Sequence, residues 1–184
     1  MLAAIDVGNT NTVLGFFEGD ELVTRFRLAS RSSTTSDEYA CMLDGLLRMS
    51  NLGFDRIDGV CLASVVPRLT EVFSDLSRRF FGLTPLIVGP GTKTGISIAY
   101  ESPRDVGADR VVNAVAAHAR FATDLVIVDF GTATTFDAVT AQGEYLGGVI
   151  VPGVSVSLDA LFQRTAKLPR VEVARPDSVI GRNT

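Results

Sequence analysis

Cysteine and histidine are nearly missing from this 184-residue chain: Cys41, Cys61 and His118 are the whole supply. The cysteines have no metal-ligand spacing and the histidine lies far from both. That argues against a zinc site or a disulfide framework and leads us to expect a reducing cytoplasm with two free, buried thiols. There is no basic excess either. The 17 Lys+Arg against 21 Asp+Glu leave a net charge of −4, the wrong sign for a nucleic-acid or anionic-membrane partner. No apolar run is long enough to span a bilayer, and the run from Leu2 to Ile5 is broken by Asp6 without the basic flank of a signal peptide. Two nucleotide loops are also lacking. Gly89-Pro90-Gly91-Thr92-Lys93-Thr94-Gly95 lacks the Gly-Lys-Ser/Thr order of a P-loop. Strand-like Ile96 to Tyr100 follows where a P-loop would open a helix, so the stretch reads as a flexible connection, and no Gly-x-Gly-x-x-Gly turn suits a dinucleotide site.

What is present is a repeated phrase. Asp6-Val7-Gly8-Asn9-Thr10-Asn11-Thr12 returns as Asp129-Phe130-Gly131-Thr132-Ala133-Thr134-Thr135, an Asp-x-Gly-x-x-x-Thr pattern in both places. Each copy follows a short apolar run, Leu2 to Ile5 or Leu125 to Val128. Each leads into a hairpin, turning at Glu18-Gly19-Asp20 in the first case and at Gln142-Gly143-Glu144 in the second. Ordinary hairpin turns use the same residues. Two copies in matched contexts point further, to an internal duplication facing a shared cleft. A strand-end Asp can hold a cation beside a phosphate chain, the Gly lets the backbone come close, and the Asn and Thr groups with the turn amides can bond phosphate oxygens.

With 46% hydrophobic residues and mixed charge, the chain has the composition of an ordered domain with one substantial core or two small ones. After the first hairpin, polar Ser30 to Ser36 is rich in N-cap candidates, and a helix is expected from Asp37 to Met49. A buried strand follows from Asp58 to Val65. Pro67 opens a helix that Gly82 stops, and Pro85 to Val88 reads as a short strand. Ser102-Pro103 with Asp105 carries a helix-start signature, giving a helix to Phe121 that is apolar nearly all round and so expected to be buried.

Asp109 and Arg110 stand in the first turns of that helix. They suit a dipole-compatible Asp and a snorkelling Arg. They equally suit an Arg for a substrate carboxylate and an Asp that takes a hydroxyl proton, with Gly107 letting the substrate approach the backbone. Near Gly147-Gly148 the glycines allow close approach of a ligand or of the facing strand. A final helix is expected from Val154 to Ala166.

Asp6 to Thr10, Gly107-Ala108-Asp109-Arg110, Asp129 to Ala133 and Gly147-Gly148-x-Ile150-x-Pro152-Gly153 occur in this order. With Thr165 to Pro169 and the terminal Gly181-Arg182-Asn183-Thr184, they resemble the type III pantothenate kinases across essentially the whole chain. The resemblance implies an α/β fold of the actin, Hsp70 and sugar-kinase superfamily: two ribonuclease-H-like domains around a nucleotide cleft, expected over residues 1–121 and 122–184. It implies phosphorylation of pantothenate by ATP, the first step of coenzyme A synthesis, in a cytoplasmic homodimer using Mg²⁺ and a monovalent cation, K⁺ or NH₄⁺. Asp6, Val7, Gly8, Asn9, Thr10, Asn11, Thr12 and Val13 would hold ATP, with Asp6 near the Mg²⁺. Thr132 would bind phosphates and Asp129 the monovalent cation. Asp109 would be the base. Tyr100, Gly107, Ala108, Asp109, Arg110 and Thr184 would line the pantothenate site. Family members continue past Gly-Arg-Asn-Thr, which implies an incomplete second domain here and weakened ATP affinity. Other readings are a different small-acid or sugar kinase of the superfamily, a plain ATPase, and a non-enzymatic transcriptional regulator of the same family.

Overall fold

The computed structural model describes residues 1–171, 173–175 and 178–180. Its first half is built outward from the opening apolar run, which forms β1 (Leu2–Val7). The chain reverses into β2 (Asn11–Glu18), turns at Gly19, whose φ of +58° suits glycine, and returns as β3 (Glu21–Ala29). Alternate residues Ala3, Ile5 and Val7 on β1 and Thr12, Leu14 and Phe16 on β2 are buried, the period-two pattern of strands with one face on a core. Helix α1 (Ser36–Met49) begins at Thr35. That residue's hydroxyl accepts the Glu38 N–H while the Glu38 carboxylate accepts the Thr35 N–H, so two helix-end amides are satisfied.

Strand β4 (Gly59–Ser64) then pairs parallel to β1. Helix α2 (Pro67–Leu76) runs into a wide turn over Ser77–Phe81 that Gly82 ends at φ +70°, and β5 (Leu86–Ile87) lies parallel to β4. The strand order is β3-β2-β1-β4-β5. One face of this sheet supplies Ile5, Val7, Leu14, Phe16 and Leu62 to a core closed by Tyr39, Leu43 and Leu47 of α1 and Leu69 and Phe73 of α2.

A second sheet has the order β6-β9-β8-β7, from β6 (Ser97–Ile98), β7 (Leu125–Phe130), β8 (Ala133–Val139) and β9 (Glu144–Pro152). Its β7-β8-β9 meander repeats β1-β2-β3. β6 joins the β9 edge in parallel, although it precedes the second motif in the chain. Helix α3 (Ala108–Phe121) packs on β4 of the first sheet and on β7 and β8 of the second, and α4 (Val154–Arg164) follows β9. No helix among the described residues is long and apolar enough to cross a membrane.

Three expectations need correction. The signature at Ser102-Pro103 makes only a 3-10 turn over Pro103–Asp105. Extended backbone at Val106 (ψ 120°) and Gly107 (ψ 143°) interrupts it, and α3 starts afresh at Ala108. Nor is α3 buried all round: Arg110, Val111 and Ala114 are buried, whereas Ala116, Ala119 and Phe121 are exposed. Alanine tolerates either environment, so an alanine-rich surface does not report burial. The thiols are not both buried either. Cys41 is exposed on α1 and Cys61 is half-buried on β4, where burial pushes its pKa up.

Candidate active site

The two motif turns face each other. The Thr10 and Thr132 hydroxyls are hydrogen-bonded at 2.7 Å, joining residues 122 positions apart. Around them lies a cleft of about 280 Å³ lined by Asp6, Gly8, Asn9, Thr10, Asn11 and Val13 from the first copy. The second copy contributes Asp129, Gly131, Thr132 and Thr135, and Asp109 enters from α3. Helix α3 is the bridge between the halves. Its Asp109 and Asn113, four residues apart, share a face, and Asn113 Nδ2 donates to Asp129 Oδ2 at 3.1 Å.

The two turns are not equal in length. Val7 pairs with Thr12 across β1–β2, and Phe130 pairs with Thr134 across β7–β8. Residues 8–11 therefore form one connection and 131–133 the other. The gap-free match of the repeated phrase equates Thr12 with Thr135, but the strand register equates it with Thr134. Thr12 and Thr134 are both buried at 0% and 6% exposure. Thr135 instead faces the cleft and donates its hydroxyl to Asp137 Oδ2 at 3.3 Å.

Three carboxylates on one small cleft repel one another. The Asp6 carboxyl is held above its usual pKa, first by desolvation and then by the charges of Asp109 and Asp129. Asp109 folds its carboxylate back so that Oδ1 accepts the Arg110 N–H at 2.8 Å. A side chain at Gly107 would strike that same oxygen. In this structure the glycine therefore makes room for the Asp109 side chain.

Arg110 is not among the residues that line the carboxylate cleft. Its Nε donates to Asp137 Oδ1 at 2.7 Å and its Nη2 lies 2.5 Å from the same oxygen, while Tyr145 donates its hydroxyl to that oxygen at 2.5 Å. The three residues are 9%, 1% and 1% exposed. Nη2 is within ion-pair distance of Asp137 but has no well-directed hydrogen bond. Burial works against the Arg110 charge, and the Asp137 carboxylate more than offsets it, so its pKa lies above the usual value. Burial, then the Asp137 hydrogen bond and charge, push the Tyr145 phenol up, keeping it a donor. Gly148 faces this group: a Cβ there would meet the Phe136 carbonyl, Arg110 Nη2 at 2.6 Å and Asp137 Oδ1 at 2.7 Å. Of the two readings of the glycine pair, close approach of the facing strand is the one seen at Gly148.

Tyr100 lies apart from the carboxylate cleft. It is 42% exposed, lies against Gly147, and lines a depression with Ser102, Asp105 and Leu146. Ala108 lines a further cavity with Val106 and Val111. The expected acceptor residues thus surround the start of α3 from several sides. Thr184 falls outside the described residues. At the other end of the meander, Gly153 starts α4 and donates its N–H to the Thr132 carbonyl at 2.9 Å; a side chain at 153 would strike this turn.

Asn113, Asp137, Tyr145 and Arg27 take places around the site that the sequence reading did not give them. For Asn113 the four-residue spacing from Asp109 was an available signal. For the Arg110–Asp137 pair, 27 residues apart, nothing local was.

Two sheets with the same antiparallel meander, the first extended by parallel strands in the order 3-2-1-4-5, and Asp-bearing turns that converge on one cleft define an actin-like ATPase and sugar-kinase fold. The model of the type III pantothenate kinase family matches residues 2–184. The chain is 56% identical over 184 residues to a type III pantothenate kinase of Pelobacter propionicus, spanning all of this chain and 72% of that protein. It is 54% identical, with the same coverage, to one from Geobacter sulfurreducens. A solved structure from Campylobacter jejuni, provisionally called a Baf family transcriptional activator, superposes with a TM-score of 0.54 at 20% identity. The match covers 96% of this chain and 68% of that one and carries the fold alone. The chain belongs to the type III pantothenate kinase family.

Proposed function

We propose that this protein transfers the γ-phosphoryl group of ATP to the primary hydroxyl of pantothenate, forming 4′-phosphopantothenate for coenzyme A synthesis. The observation that carries this reading is the meeting of Asp6, Asp109 and Asp129 between two phosphate-type turns, in a chain of this family.

Phosphoryl transfer asks for positioning, neutralised phosphate charge and a base aligned with the hydroxyl. The first turn, from Asp6 to Val13, and Thr132 in the second supply side-chain hydroxyls, amides and backbone N–H groups for the phosphate chain. Asp109 takes the proton of the acceptor hydroxyl as that oxygen attacks the γ-phosphorus and ADP departs. Among the described residues no three acidic, His or Cys side chains are grouped to hold a metal by themselves. Asp6, beside two further carboxylates, would be the residue to hold a Mg²⁺. Mg²⁺ bound there supplies charge neutralisation on the phosphates. Asp129, held by Asn113, is the candidate ligand of the K⁺ or NH₄⁺.

Tyr100 and Gly107 to Arg110 border the acceptor. Arg110 meets the acceptor carboxylate only by sharing its guanidinium with Asp137. We further propose a cytoplasmic homodimer and two ribonuclease-H-like units meeting at the cleft.

The test is ATP turnover by the purified protein with Mg²⁺, with and without pantothenate, in K⁺ and in Na⁺. Pantothenate-dependent, K⁺-stimulated turnover that Asp109→Asn abolishes is expected. Equal ATP hydrolysis with and without pantothenate would overturn the acceptor assignment.

A further inference from the structure

We infer that Arg27 is a phosphate-binding catalytic residue, the protein cation that meets the polyphosphate between the two turns. The inference rests on the kinase reading of this cleft. Arg27 belongs to neither copy of the repeated phrase; it arrives on β3 through the hydrogen-bonded rows of the first sheet. Arg27 pairs with Val13, Val13 with Asp6, and Asp6 with Ala63. Residues directly opposite in adjacent strands share a face, so Arg27 and Asp6 stand on the same side with Val13 between them. Two strand spacings separate their backbones by roughly 10 Å, a gap that an extended arginine and a bound phosphate group span together.

The pleat confirms which way the residue faces. Its neighbours Phe26 and Leu28 pack into the core on the opposite side, leaving Arg27 on the face that opens into the cleft, where it is one of the lining residues. Among the described residues that line the cleft, three are aspartates and Arg27 is their single cationic counterpart. None of the ion pairs among the described residues includes it. A cation with no ion-pair partner among the described residues, on a wall shared with three carboxylates, is available to an anion arriving between them. Polyphosphate is the class that fits: it needs compensation for charge the aspartates can meet only through metal ions, and a guanidinium offers two parallel N–H donors to phosphate oxygens. Arg27 shares the wall of the first turn, with Val13 between it and Asp6, so it serves the phosphate chain and not the base or the nucleoside.

Arg27→Ala and Arg27→Lys, in the full chain, separate these roles. Steady-state kinetics and calorimetric titration with Mg²⁺ and ATP, ADP or AMP are the readouts. Arg27→Ala is expected to cut kcat/KM for ATP about 10- to 100-fold, the loss of a charge-assisted hydrogen bond. Its KM for pantothenate and its affinity for AMP should stay within about twofold of the parent. Lysine should recover part of the loss by keeping the charge without the fork. The exposed position predicts a melting temperature within about 2 °C of the parent. Unchanged kcat/KM for ATP, or AMP weakened as much as ATP, overturns the assignment. If the parent shows no pantothenate-dependent turnover, the kinase reading fails by itself, and ATP-against-AMP affinity still decides the role of Arg27.

Discussion

Replacing Asp137 with alanine isolates the buried pair beneath the acceptor side. The substitution leaves the Arg110 guanidinium and the Tyr145 hydroxyl facing each other without the oxygen both now use, in a place where those residues are 9% and 1% exposed. An uncompensated buried charge costs about 3–5 kcal/mol. The orphaned hydroxyl acts through the same loss and is not an independent addition. At about 2–4 °C per kcal/mol for a chain of this size, the melting temperature should fall by roughly 6–20 °C. Arg110→Met combined with Asp137→Ala removes the stranded charge. The double variant should therefore be more stable than Asp137→Ala alone, with a coupling of about 1–3 kcal/mol in a double-mutant cycle followed by urea unfolding. An Asp137→Ala midpoint within about 2 °C of the parent, or strictly additive single losses, would refute the claim that this largely buried pair is mutually dependent.

Asp6→Asn should raise the stability of the ligand-free protein at neutral pH while removing turnover. Because the folded carboxyl has a raised pKa, its stability contribution is present below the unfolded pKa and is lost as pH rises through the folded one. The advantage of the variant in thermal melts should accordingly grow from acidic to neutral pH; a constant difference would count against carboxylate repulsion. Gly148→Ala should cost about 1–3 kcal/mol or more by overpacking against the Phe136 carbonyl and the Arg110–Asp137 pair, read as a lower urea midpoint. Thr35→Ala, which removes half of the reciprocal cap on α1, should lower the melting temperature by about 2–4 °C and leave kcat intact. With a colorimetric disulfide reagent, exposed Cys41 should react quickly and Cys61, half-buried with a raised pKa, slowly; equal rates would contradict the burial of β4.

The hairpins were legible because alternating apolar residues and Asp/Gly turns encode them locally. The duplication was legible because its phrase recurs after matching apolar runs. Asp6, Asp109 and Asp129 each stand in a recognisable motif, and they line one cleft. The start of α3 was not legible, because Ser102-Pro103 satisfies a 3-10 turn as well as a helix, and the choice lies in the backbone at Val106 and Gly107. The partner of Arg110 lies 27 residues ahead, on β8 of the second sheet. Arg27 reaches the cleft only through the register of three strands. Such placements are properties of pairing between distant segments, which no single window of sequence contains.

The unequal turns have a consequence for how a nucleotide lies. A duplicated cleft with identical halves would have no head or tail, and an elongated ligand could enter it in either direction with similar fit. Here residues 8–11 form one connection and 131–133 the other, so one lip of the cleft is longer. Arg27 stands on the side of the longer lip and Asn113 on the side of the shorter. The one-residue difference between the turns adds to these unequal side chains, and the cleft acquires a polarity. If Arg27 binds polyphosphate as proposed, only one end of the chain meets the lip beside it, and the terminal phosphorus has one address.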